Sequence, residues 1–168
     1  MTQLFAQPYD TSATGFYFES REQFDELITK VRNHFGDPVE EFEIQFIDGD
    51  DLDCSLAHAW GINQSNIGKF FDVVNDWDER QKLHYIIAVG ECSYDHDTVA
   101  DDPENIDIVI YRLRSLRELA QEFVDDGLFG EVPKSIENYI DYDRIARDLA
   151  HEYSSTTIAG EFLLYQCA

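Results

Sequence analysis

Hydrophobic positions in this chain fall into short runs whose period switches repeatedly between two and three to four residues. Gln3-Leu4-Phe5-Ala6-Gln7 and Gly15-Phe16-Tyr17-Phe18-Glu19 are short and aromatic-rich, with Pro8, Asp10, Ser12 and Gly15 as punctuation, which predicts two antiparallel strands. Ser20 with Gln23 makes a capping box, after which Phe24, Leu27, Ile28, Val31 and Phe35 recur at helical spacing until Gly36 and Pro38, so one helix is predicted over that span. Phe42, Ile44 and Phe46 alternate with Glu43 and Gln45 as in a half-buried strand. The first fifty residues therefore read as a β-β-α-β unit.

Helical spacing dominates the middle. Ile67, Phe70, Phe71, Val74 and Trp77 mark one helix, and Leu83, Ile86, Ile87 and Val89 a second. Ile106 to Tyr111 then reads as a strand, and Ser115 with Glu118 forms a second capping box before Leu116, Leu119, Ala120, Phe123 and Val124, with Gly127 as the stop. Pro133 is placed to open one or two further helices carrying Ile136, Tyr139, Ile140, Tyr142, Ile145 and Leu149. Thr156-Thr157-Ile158 and Phe162-Leu163-Leu164-Tyr165 read as a hairpin around Gly160. The fold class is α+β in three small units: an α+β domain at 1–61, a helical domain at 62–104 and a second α+β domain at 105–168.

Charge changes this picture. The 168 residues are 43% apolar and 14% aromatic, a globular composition, yet 35 Asp and Glu face 12 Lys and Arg for a net charge of −23. That far exceeds the roughly 2–8 units that keep a small domain soluble. With no basic patch the chain cannot release counterions from nucleic acid and is repelled by anionic membranes. No apolar run approaches the roughly 20 residues of a membrane span, and Met1-Thr2-Gln3-Leu4 does not begin a signal peptide, so a cytoplasmic protein is expected. Cys54, Cys92 and Cys167 are odd in number and widely spaced, suggesting neither a disulfide framework nor a zinc site.

The carboxylates are not stored in a tail. Two stretches lack Lys and Arg altogether, from Asn33 to Gly68 and from Leu83 to Tyr111, and within them Asp48, Asp50, Asp51, Asp53, Asp95, Asp97, Asp101, Asp102 and Glu104 form a secondary acidic surface. Asp95-His96-Asp97-Thr98-Val99 matches the pattern of aspartyl-phosphate enzymes, which offers a metal-dependent phosphohydrolase as a remote alternative; the match lacks a strand before it and favours a solvated loop. Asp48 to Asp53 suggests a calcium loop, but its sixth position is Asp53 rather than Gly and its twelfth Ala59 rather than Glu. The histidines are scattered and read as surface or cap residues. No catalytic, cofactor or metal residue is assigned, and an enzyme is not expected.

A folded acidic array can take the place of DNA. Duplex DNA carries one charge per about 1.7 Å of axis, so 23 net charges correspond to about 39 Å of duplex, a little over one turn. On the helix after Ser115, Glu118, Glu122 and Asp126 recur every four residues beside Asp125, about 5–6 Å apart between successive Cβ atoms. Such a like-charged stripe costs stability and favours a functional field; Arg112, Arg114 and Arg117 just before it read as structural partners. A mimic of this kind targets a basic protein, a nucleoid protein being one alternative.

Gly127-Leu128-Phe129-Gly130-Glu131-Val132-Pro133-Lys134-Ser135-Ile136-Glu137-Asn138-Tyr139-Ile140-Asp141-Tyr142, followed by Arg144, Arg147, Asp148 and Leu149, resembles the C-terminal signature of ArdA-type antirestriction proteins. The strands at Gln3 to Ala6, Gly15 to Phe18 and through Phe42 are similar to that family's opening. The resemblance implies an elongated, three-domain homodimer, without catalysis or cofactor, that mimics bent duplex DNA. Its expected target is the DNA-binding methyltransferase core of Type I restriction-modification enzymes, whose inhibition protects incoming mobile genetic elements. It places the antirestriction segment at about Leu116 to Leu128 and the dimer contact in the C-terminal unit. Pro133, Tyr139, Ile140, Tyr142 and Leu149 then read as core or turn positions. Glu131, Glu137, Asp141, Asp143 and Asp148 join Glu118, Glu122, Asp125 and Asp126 as the DNA-mimic surface, with Asp141 and Asp148 equally able to cap helices or pair with Arg144 and Arg147.

Overall fold

The order of elements in the computed structural model, which describes residues 1–167, follows the hydrophobic pattern closely. Strands β1 (Gln3–Pro8), β2 (Phe16–Phe18) and β3 (Phe42–Asp48) form an antiparallel sheet in the order β2-β1-β3. Alternation sends Leu4, Ala6, Phe18, Phe42 and Ile44 inward. Phe16, Phe18, Phe24 and Phe42 stack among themselves with ring centroids 5.1–6.5 Å apart, so the aromatic richness of the opening becomes the floor of a core.

Helix α1 (Arg21–Ile28) begins as expected: the Ser20 side chain accepts from Gln23 N at 3.2 Å, and Gln23 Oε1 accepts from Glu19 N at 2.8 Å. It ends earlier than the spacing predicts. Asn33 Oδ1 accepts from both Phe35 N and Asp37 N, at 3.0 and 2.9 Å, holding the backbone in a turn that competes with the helix. Gly36 takes φ +86°, and Val31 faces Val39 across this turn, leaving Phe35 77% exposed.

Helix α2 (Asp51–Trp60) occupies a segment whose apolar spacing predicts no element. Asp50 caps it through Leu52 N at 2.9 Å, and Gly61 closes it in the left-handed conformation at φ +60°. It is followed by α3 (Ile67–Asp76), α4 (Glu79–Gly90) and the short α5 (His96–Asp101). Asp78 and Gln81 form a reciprocal capping box at the start of α4. Trp60 of α2, Trp77 after α3 and Tyr85 of α4 pack together, with centroids 4.8–5.8 Å apart. The Tyr85 hydroxyl is hydrogen-bonded to His96 Nδ1, and burial raises the Tyr85 pKa above its ordinary value.

Two polar groups sit deep in this packing. Lys82 of α4 reaches Asp53 of α2 at 2.6 Å and the Val74 carbonyl of α3 at 2.9 Å, and Thr2 donates to Asp53 at 3.3 Å. His84, expected at the surface, is buried; its ring bonds the Pro103 carbonyl while Nδ1 has no partner. Burial first, and Arg80 second, push its pKa below the ordinary imidazole value. The neutral form is the folded form, so its stabilisation is present above a pH of about 6.5 and is lost as pH falls through the depressed folded value. Urea unfolding should show wild-type stability falling between a pH of about 7.5 and about 5.5, and a shallower fall in His84→Gln. Equal slopes would remove the assignment.

The second sheet is antiparallel in the order β4-β6-β5, formed by β4 (Ile108–Tyr111), β5 (Ser154–Ile158) and β6 (Glu161–Cys167). Ala159 and Gly160, both at positive φ, make the two-residue turn between β5 and β6. Helix α6 (Leu116–Asp125) buries Leu119, Ala120 and Phe123 against Leu164, with Tyr111, Leu116, Leu149 and Tyr153 packed around them. Helix α7 (Tyr142–Leu149) packs on α6, but the helix expected from Pro133 is reduced to one turn at Glu137–Tyr139, followed by extended backbone at Ile140. Contacts divide the chain into two units, Met1–Asn105 and Ile106–Ala168.

Candidate functional site

Many of the carboxylates have structural tasks, and removing these isolates the free field. In the second unit, Glu118 Oε2 accepts from Arg114 N at 2.8 Å and Ser115 Oγ accepts from Glu118 N at 3.2 Å, so Glu118 completes the cap of α6. Asp141 caps α7 through Arg144 N at 3.0 Å. Asp143 pairs with Arg117 at 3.1 Å, and Asp148 stands 3.9 Å from Arg144. Glu122 is half-buried on α6, whereas Asp125, Asp126, Glu131 and Glu137 are exposed and line one groove with Gly127, Gly130 and Lys134. Asp141→Ala should therefore cost about 1 kcal/mol of stability, while Asp125→Asn leaves stability unchanged in the same chemical denaturation. Equal effects would mean that the two carboxylates do the same work.

The secondary surface divides in the same way. Asp50 and Asp95 are caps, the latter accepting from Thr98 N at 3.2 Å and Thr98 Oγ1 at 3.1 Å. Asp101 pairs with Lys69 at 3.5 Å and Glu104 with Arg80 at 3.3 Å. Asp48 accepts from Gly49 N at 3.0 Å, and Asp51, Asp97 and Asp102 are exposed. Asp53 does not belong to a surface at all: it is 7% exposed, because the Lys82 ammonium and the Thr2 hydroxyl compensate it inside the fold. Asp95 and Asp97 open a six-residue helix after a loop, and the strand end that aspartyl-phosphate chemistry needs is replaced by a cap. Among the described residues, no three His, Cys, Asp or Glu side chains stand together as metal ligands, and no helix is long and apolar enough to cross a membrane.

Charge is concentrated in the unit that carries the secondary acidic surface. Residues 1–105 carry 23 Asp and Glu against six Lys and Arg, a net −17, whereas residues 106–168 carry 12 against six, a net −6. All six cations of the first unit are engaged within it. Arg21, Lys30, Lys69, Arg80 and Lys82 pair with Asp25, Glu26, Asp101, Glu104 and Asp53, and Arg32 donates to the carbonyls of Thr29 and Val31. Asp37, Glu40, Glu41 and Glu43 are exposed beside them. The Ser12 hydroxyl and amide hold the Asp10 carboxyl below its usual range, and Lys30 does the same for Glu26, so both remain ionised at neutral pH.

An apolar feature accompanies the acidic groove. Leu128, Phe129, Ile136 and Tyr139 are 62%, 59%, 50% and 85% exposed. Of the core and turn roles expected of it, Tyr139 takes the turn, because the segment from Pro133 turns instead of forming a helix with a buried face. Leu128 and Phe129 border a cleft with Phe123, Leu149 and Tyr153.

These features define a class: a small α+β protein whose surface is dominated by carboxylates held on folded elements. The family model described as "Antirestriction protein (ArdA)" matches residues 13–163, and the chain belongs to that family. Membership implies an antirestriction function. No curated protein matches the chain.

Proposed function

We propose that the protein is a DNA mimic that occupies the DNA-binding groove of a Type I restriction-modification enzyme and so blocks restriction of incoming DNA. It acts by binding alone, in the cytoplasm, and its working form is a homodimer. The observation that carries this reading is the first unit, where every cation is engaged internally while exposed carboxylates remain on the surrounding elements. A basic groove built for phosphates meets there a comparable density of negative charge. Family membership supports the antirestriction outcome, and the exposed apolar segment 128–139 supports association of two copies.

Displacement of a labelled duplex from the methyltransferase core tests the reading. The protein should compete with DNA at low salt, and its apparent affinity should fall as salt rises, because charge steers and holds the complex. Failure to displace DNA at low salt would overturn the proposal.

A further inference from the structure

The outer face of the first sheet offers a chemistry that carboxylates do not. Alternation along β1 turns Phe5 outward with Gln3 and Gln7, and the register sets Tyr17 of β2 and Gln45 of β3 on either side of Phe5. The Phe5 and Tyr17 rings stand 4.7 Å apart between centroids at 51°, and Tyr17 is 57% exposed. Backbone holds this pair in place. A Cβ at Gly15 would lie 2.5 Å from Phe5 Cζ and 2.4 Å from the Ala6 carbonyl oxygen, so the Phe5 ring occupies space that only glycine leaves open. A platform held in this way loses little freedom when something stacks on it.

The rim is acidic. Glu43 lies opposite Gln7 on the same face, Asp48 lies opposite Gln3, and Glu19 accepts from Gln3 Nε2 at 3.2 Å. No Lys or Arg occurs in any of the three strands. Aromatic platforms also stack nucleobases, but a surface of this charge repels the phosphates that accompany them. A guanidinium suits both parts, since its plane stacks on a ring while its N–H groups reach carboxylates; an ammonium is compact and more strongly hydrated.

We propose that the Phe5–Tyr17 face is a receptor for arginine side chains of the basic partner, adding a contact that resists salt to an otherwise screened interface. This rests on the DNA-mimic reading, and the two fail separately. Octa-arginine and octa-lysine peptides are titrated into the wild type, Tyr17→Ala and Tyr17→Phe at about 0.1 M and about 0.5 M salt, with Phe5 and Tyr17 ring resonances followed by NMR. At the higher salt Tyr17→Ala should bind octa-arginine about 2–5-fold more weakly, Tyr17→Phe should keep wild-type affinity, and octa-lysine should not discriminate. Equal octa-arginine affinity for the wild type and Tyr17→Ala, or unmoved ring resonances, would overturn the inference. Displacement of DNA from the methyltransferase core by wild type and Tyr17→Ala forms the second arm. If the wild type displaces DNA and Tyr17→Ala matches it at high salt, the aromatic receptor fails while the mimic stands; if the wild type does not displace DNA, the mimic itself fails.

Discussion

Lys82→Met should lower the stability of the first unit by about 3–5 kcal/mol, read as a shift of the urea midpoint followed by tryptophan fluorescence. The Lys82 and Asp53 side chains are only 12% and 11% exposed, and their 2.6 Å contact between α4 and α2 is tied also to the Val74 carbonyl of α3 and to Thr2 just before β1. Removing the ammonium alone strands a carboxylate where solvent cannot reach it, and that desolvation cost dominates over the lost attraction. The double variant Asp53→Leu with Lys82→Met should recover most of the loss, since it removes both charges and fills the space with apolar atoms. Should the single variant cost less than about 1 kcal/mol, the pair would be behaving like an exposed one, and the buried position of Asp53 would be wrong.

Phe129→Asp should raise the dimer dissociation constant by about 100-fold, equivalent to about 3 kcal/mol. Phe129 is 59% exposed beside Leu128 and borders the cleft lined by Phe123, Leu149 and Tyr153. A large aromatic side chain left in water next to an apolar cleft is the kind of group that anchors an interface centre. A carboxylate there would be desolvated without a partner and would add to the repulsion between two acidic chains. Sedimentation equilibrium on wild type and variant reads the result. Because Phe129 also touches its own unit, Tyr139→Ala supplies a second probe: at 85% exposure Tyr139 has little folding role, so a weaker dimer without a change in melting would locate the contact. A wild type that stays monomeric at micromolar concentration, or a Phe129→Asp dimer as tight as the wild type, would sink the dimer proposal.

Elements marked by regular apolar spacing were legible along the chain. The strands at Gln3–Pro8 and Phe42–Asp48, helices α3 and α4, helix α6 with its Ser115 cap, and the hairpin around Gly160 all stand where the period and the turn residues put them. Helix α2 was hidden because its inward face includes a charged residue, Asp53, along with Leu56, Ala57 and Trp60. Its one usable signal was Asp50 before the segment with Gly61 after it, a cap and a stop around ten residues. The over-long α1 shows the opposite error. Val31 and Phe35 keep helical spacing, but local hydrogen bonds from Asn33 outweigh it.

By itself the sequence determined the α+β class, the acidic excess and the resemblance to a family, because composition and period survive without knowing which groups meet. The tertiary structure decided which carboxylates are available. Asp53 neutralises Lys82, Asp50, Asp95 and Asp141 cap helices, and Asp143 holds Arg117, and none of these tasks is visible in a charge count. It also showed that the six cations of residues 1–105 are engaged within that unit, and it brought Phe5, Gly15 and Tyr17 together on one face. A side chain's charge belongs to the residue, whereas its freedom to meet a partner depends on neighbours that only folding supplies.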